Sequence, residues 1–282
     1  MTDAERTICE HVRELYYVYC QIGGYPAVVS NWTDYNDIES CKEIAAHILR
    51  RFYDEISSYF GELVGAKLWA MTLERLIEDV ATKAGDLDIR IAKEEFRDAD
   101  SKGLHIRRKD EVNALKWLGD CNIIDIVPVY NKLNNVCTFG NKYHYYMRDM
   151  GFFTRLSDTS INVLPSSIAG MMAENFVFLH LRNMLENEFA EPSVRSFDGT
   201  WGQIDFIMHN KDRRRYGIEV KHGSGSMKSG DRALAEGKID CLIRIQDTFG
   251  SISDNQATIP IFMLDKLNQV VVPHSYYIAS PH

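Results

Sequence analysis

Apolar residues recur at helical spacing across residues 4–20, where Ile8, Val12, Leu15, Tyr16 and Tyr19 mark one face of an α-helix. Gly23-Gly24-Tyr25-Pro26 ends that run, because glycine pairs and proline interrupt a helix. A second helix is expected over about Ser40–Tyr59, with Ile44, Ile48, Phe52 and Ile56 on one stripe. Neither stretch carries recognisable chemistry, and residues 1–62 read as a helical platform.

The rhythm changes over residues 63–164. Helical patterns cover Leu68–Ala84, Ala92–Ala99 and Lys109–Cys121, with a short strand candidate at Asp88–Ile91. Two more strand candidates, Ile123–Val127 and Lys142–Tyr146, flank an Asn-rich loop. Three helices followed by a β-hairpin is the order of a winged helix, whose third helix can enter the DNA major groove. Arg107, Arg108 and Lys109 stand at the start of that helix, where its dipole also favours phosphate. Asp110 and Glu111 follow at once, so a solvated basic turn on a packing domain is the competing reading.

Residues 165–282 return to a mixed pattern. From Ile168 to Phe189 an apolar helix places Met171, Val177, Phe178, Leu181 and Leu185 at three- and four-residue steps, with Glu174 inside the stripe. A carboxylate facing a core must be paired. Glu174 therefore either reaches water at the rim or is delivered to a partner beneath the helix. Strand candidates follow at Val194–Phe197, Gly202–Met208, Arg213–Lys221, Cys241–Ile245 and Ile259–Leu264. The second and third form a hairpin across Asn210-Lys211-Asp212. Strict alternation would put Ile204, Phe206 and Met208 on one face and Asp205 on the other, and would likewise expose Glu219 and Lys221 together. Two carboxylates and an ammonium gathered on one face make a divalent-metal site. The bland alternative is an ion pair of Lys221 with Asp205 or Glu219. Gly225 and Gly230 have phosphate-loop spacing, but Asp231-Arg232 stands where Lys-Ser/Thr is required, so no nucleotide loop is expected. The stretch up to Gly230 reads instead as a mobile loop. The fold class implied is α/β (α+β overall), a mixed sheet flanked by helices after an N-terminal helical segment and winged helix.

Composition narrows this picture. With 282 residues, 45% of them hydrophobic, the chain can build two or three units. The net charge of −8 leaves no general basic coat, so any DNA contact must be local or assisted by cations. The six cysteines have no zinc spacing, which fits a reduced, cytoplasmic protein. No apolar run of membrane-spanning length occurs.

Gln203-Ile204-Asp205-Phe206 followed by Gly217-Ile218-Glu219-Val220-Lys221 resembles the core of the PD-(D/E)XK nuclease superfamily. The Gly170–Glu174–Val177 segment, the Gly23–Pro26 segment and Tyr145-x-x-Arg148-Asp149-x-Gly151-Phe152 extend the likeness. Together these landmarks are similar to the C-terminal half of bacterial and archaeal AAA-type ATPases, in which a winged helix and a restriction-endonuclease-like domain of unknown function follow an ATPase module. That module is absent, as in a fragment or a stand-alone relative. Gln203 stands where the family carries an acidic residue, and no proline precedes Asp205.

The resemblance implies phosphodiester hydrolysis with Mg²⁺ or Mn²⁺. Asp205, Glu219 and the Val220 carbonyl would be ligands, Glu174 would hold a water or a second ion, and Lys221 would orient the nucleophile. DNA is the expected partner, with an ATPase as a further one. The alternative is an inactive module that binds DNA or protein beside an ATPase. Nothing in the pattern sets a copy number.

Overall fold

The structure is a computed structural model that describes residues 2–60, 117–130, 139–152, 166–188, 195–199, 202–209, 214–221 and 228–267. The helices expected over residues 61–116, with Arg107, Arg108 and Lys109, lie outside the described residues, as does the turn at Asn210-Lys211-Asp212. Residues 1–126 with 142–172 form one compact unit, and 127–141 with 173–282 form the other.

In the first unit α1 (Asp3–Ile22) opens with a capping box, in which Thr2 and Glu5 each satisfy the other's backbone N–H. It ends at Gly23, whose φ of +78° glycine adopts without strain. The next helix, α2 (Pro26–Tyr35), is too short to show a stripe, but Pro26 is preset for a first helical position. Asn36 closes α2 in the left-handed conformation before α3 (Ile38–Phe60). Ile22, Val28, Cys41 and Ala45 form the buried core of the three helices, with Trp32, Ile44 and Ile48 packed around it. Only the C-terminal end of the α1 stripe is used this way, since Ile8, Val12 and Leu15 are exposed.

The Gly23–Pro26 and Arg148–Phe152 segments meet inside this unit. Asp149 is buried, and its Oδ2 accepts the Gly24 N–H at 2.7 Å while Oδ1 accepts those of Gly151 at 2.9 Å and Phe152 at 3.3 Å. Burial pushes the Asp149 carboxyl up, and these three donors pull it back. Tyr25 lies against Phe152 with ring centroids 4.9 Å apart, and Phe52 meets the same ring edge-on. These residues act as a structural clasp. Arg148 pairs with Asp125 at 2.8 Å.

A seven-stranded sheet, of which β3 to β7 lie wholly in the second unit, has the order β2 (Phe139–Met147), β1 (Ile124–Tyr130), β3 (Arg195–Gly199), β4 (Gly202–His209), β5 (Arg215–Val220), β6 (Cys241–Gln246) and β7 (Gln256–Pro260). The strands expected as a winged-helix hairpin therefore belong to this sheet. β1 runs parallel to β3 through Val129↔Ser196 and Tyr130↔Phe197. That pairing draws residues 127–141 into the second unit. β3–β4 and β4–β5 are antiparallel, whereas β5–β6 and β6–β7 are parallel. The chain is thus an α/β protein with N-terminal helices before a mixed, helix-flanked sheet.

Two helices position the site. α4 (Ser166–Glu188) buries residues on almost every side, including Met171, Asn175, Val177, Phe178, Leu181 and Met184, as an all-round apolar helix must. Its Phe178 ring lies 6.3 Å from that of Phe206 on β4. α5 (Lys228–Ala235) starts earlier than the expected loop allowed, so Gly230 is helical. β7 also ends sooner than expected. Pro260 caps a 3₁₀ helix over Ile261–Lys266 instead of continuing as strand, because proline supplies no ladder donor. Among the described residues no helix is long and apolar enough to cross a membrane.

Candidate functional site

Asp205 stands at an irregularity in β4. From Arg195↔Ile207 to Phe197↔Ile204, β4 takes three steps against two on β3, so one additional residue is accommodated at 205–206. Such a bulge turns side chains out of strict alternation. Ile204 does not share a face with Phe206, as the alternation predicts. It clusters instead with Ile207, Ala233, Ile239 and Leu242 on the α5 side, while Phe206 faces Phe178 of α4. Gly217 is required there, because an added Cβ would stand 2.6 Å from the Ile239 Cδ1. Asp205 reaches across to β5, where its Oδ2 accepts the Val220 N–H at 2.7 Å. Val220 thus enters the site with its N–H engaged.

Glu219 is 2% exposed. Its Oε1 accepts the Gly230 N–H at 2.7 Å, in the first turn of α5, where an anion suits the helix dipole. Its Oε2 is buried with no hydrogen-bond partner among the described residues. Lys221 follows β5 directly, its N–H donating to the Ile245 carbonyl at 2.9 Å.

The electrostatics tie these groups together. Burial pushes the Asp205 carboxyl up to about 8, and the Glu174 charge pushes in the same direction. The Val220 N–H and Lys221 oppose that rise, and Glu219 adds to it. Burial also raises Glu219, against the Gly230 N–H, Lys221 and Arg244. Glu174 on α4 is half-buried, and its charge acts on Asp205. Glu174, Glu219 and Lys221 therefore all act on Asp205, and Lys221 acts on Glu219 as well. Arg107, Arg108 and Lys109 lie outside the described residues.

Three contributors escaped the sequence pattern. Gly230 drew notice only as a loop glycine. Arg244 was visible as an arginine in the otherwise apolar Cys-Leu-Ile-Arg-Ile strand, and Asp231 as the residue that spoils a phosphate loop. Arg244 stands in register with Glu219 and pairs with Asp231.

The donor set suits a hard divalent cation. The Asp205 carboxyl, whose proton affinity Glu174 and Glu219 raise, and the orphaned Glu219 Oε2 are satisfied by added positive charge. No group of three or more His, Cys, Asp or Glu among the described residues forms a ready cage. One or two carboxylates, with waters and substrate phosphate, are the usual protein share of a Mg²⁺ shell. Gly230→Ala tests the arrangement, because its Cβ would lie 2.6 Å from Leu242 Cδ1 and 3.0 Å from Glu219 Cδ. It is expected to destabilise the second unit by about 1–3 kcal/mol, read by denaturant unfolding.

Fold and site define a mixed α/β protein with an acidic, lysine-bearing centre at a strand bulge. The chain belongs to the family of the domain of unknown function DUF8612, whose model matches residues 13–162. That match takes in the second half of α1, α2, α3 and the Asp149 clasp and ends before α4, hence before every carboxylate of the centre. No curated protein and no solved structure gives a significant match.

Proposed function

We propose that this protein is a divalent-metal-dependent nuclease that hydrolyses DNA phosphodiester bonds, with Mg²⁺ or Mn²⁺ as cofactor. The observation that carries the reading is the convergence of the Glu174, Glu219 and Lys221 charges on Asp205 at the β4 bulge, beside the orphaned Glu219 Oε2. Surface ion pairs scattered by chance do not also bury a carboxylate oxygen without a partner. DNA contact through Arg107, Arg108 and Lys109, and service to an ATPase module in the cytoplasm, complete the proposal.

Asp205 and Glu219 would hold the cation, through Asp205 Oδ1 and the orphaned Glu219 Oε2, with the Val220 carbonyl as a further donor. When bound, the ion supplies a lowered pKa for its water and charge relief at the phosphate. The Val220 N–H fixes Asp205, and the Gly230 N–H fixes Glu219, so neither carboxylate needs to reorganise. Glu174 approaches from α4, where it can accept a proton from the attacking water or orient it. Lys221 places an ammonium beside both strand carboxylates, where it steadies negative charge developing on the phosphate.

Plasmid nicking in Mn²⁺ tests the proposal. Wild-type protein is expected to nick, and Asp205→Ala and Lys221→Ala to lower the rate on the order of 100-fold or more. Calorimetric titration with Mn²⁺ should show binding by wild type that Asp205→Ala loses. DNA retained in EDTA and indifferent to both substitutions, without nicking, would instead identify a non-catalytic binding module.

A further inference from the structure

Glu219 on β5 is the register partner of Arg244 on β6. The two side chains therefore share a face of the sheet, with strands about 4.8 Å apart. The Arg244 guanidinium is divided between two partners. Nη2 donates to Asp231 Oδ1 of α5, and Nη1 donates to Gln256 Oε1 on β7 at 2.8 Å. Arg244 is largely covered, its side chain 19% exposed, whereas that of Asp231 is 55% exposed. Gln256 lies in the strand next to Arg244, so it holds the plane of the guanidinium from the protein side. Asp231 holds the other end from a position that faces solvent. Lys228 and Arg232, one helical turn apart on α5, are both exposed.

An arginine this close to a carboxylate centre has a bland role available, as a tether between α5 and β6. Three features fit it poorly. An ion pair with one partner so exposed contributes little to stability. The guanidinium fork accepts a phosphate in the geometry in which it accepts a carboxylate. The carboxylate concerned sits among exposed cations that would themselves favour a polyanion.

We propose that Arg244 is a phosphate-binding arginine of the site, and that Asp231 occupies one arm of its fork, Nη2, until a DNA backbone phosphate displaces it. Asp231 is then an internal stand-in for the substrate and weakens DNA binding by competition. Gln256 is a positioning residue that keeps the fork aimed. The inference rests on the nuclease reading and adds the group that holds the phosphodiester backbone beside the scissile bond.

The experiment measures fluorescence anisotropy of a short labelled DNA duplex on the full chain in Ca²⁺ over a range of salt. Arg244→Gln is expected to weaken binding about tenfold and to lower the slope of log K against log salt by about one. Asp231→Asn is expected to tighten binding several-fold, because it frees the fork and keeps the helix side chain isosteric. Arg244→Lys keeps the charge without the fork and should fall between wild type and Arg244→Gln. Opposite signs exclude a tether, and the double variant separates competition from bulk charge: Asp231→Asn should no longer tighten binding once Arg244 is replaced by Gln, and full additivity would overturn the proposal. Equal or same-sign effects in a wild type that nicks DNA would overturn this inference and leave the nuclease reading standing. A wild type that binds neither Ca²⁺ nor DNA would overturn both. Calorimetric Ca²⁺ affinity without DNA should not weaken in Arg244→Gln, since a cation beside Glu219 is removed, and its loss would show a collapsed site and sink the assignment.

Discussion

Asp205→Asn should make this protein more stable than wild type above neutral pH in EDTA, while leaving the two alike near pH 4. The sign follows from where the proton sits. In the folded chain burial and the neighbouring Glu174 charge push the Asp205 carboxyl up to about 8, against an ordinary value of 3.8. Between those values the folded state holds a proton that the unfolded state has released. Stability must therefore fall as pH rises through this window, by up to about 1.4 kcal/mol per pH unit, and level off above it. Asparagine carries no such proton, and its side-chain oxygen can still accept the Val220 N–H. Urea unfolding monitored at pH 5, 7 and 9 should give diverging midpoints for the two proteins. Added Mg²⁺ should then raise the wild-type midpoint at pH 9 and leave Asp205→Asn where it was, because a ligand stabilises only the state that binds it. Parallel pH profiles would show that Asp205 is not held as described.

The second large effect belongs to the other unit. Asp149→Ala should lower its stability by about 3 kcal/mol or more, since the backbone N–H groups of Gly24, Gly151 and Phe152 would lose their acceptor inside a buried clasp. Gly23→Ala should be comparably damaging for two reasons. Its φ of +78° strains any other residue, and the new methyl would collide with the Asp149 carboxylate and stand 2.6 Å from Gly151 N. Val12→Ala, at an exposed position of α1, is the control and should change little. Calorimetric scanning would show the clasp variants losing the transition of α1–α3 first. A change below about 0.5 kcal/mol for Asp149→Ala would show that the clasp is not structural. The clasp lies within the stretch matched by the DUF8612 model, and the carboxylate centre does not. Loss of folding in these variants can thus be told apart from loss of the proposed chemistry.

Local physics made much of this chain legible in its residues. Gly23 and Pro26 end one helix and start another because one tolerates positive φ and the other arrives with its φ preset. Alternation in Gly202–Met208 and Arg213–Lys221 was enough to expect an antiparallel pair, and to single out Asp205, Glu219 and Lys221. Those signals are local, carried by neighbours in the chain. What the tertiary structure decided is of another kind. The extra residue in β4 is defined only against β3, and it places Ile204 with Ile207 instead of with Phe206. Glu219 meets Gly230 only because α5 packs beside β5, and it meets Arg244 only because β5 and β6 run parallel in one register. Partners brought together by pairing between strands leave no period in the sequence, and the same residues in another register would face other neighbours.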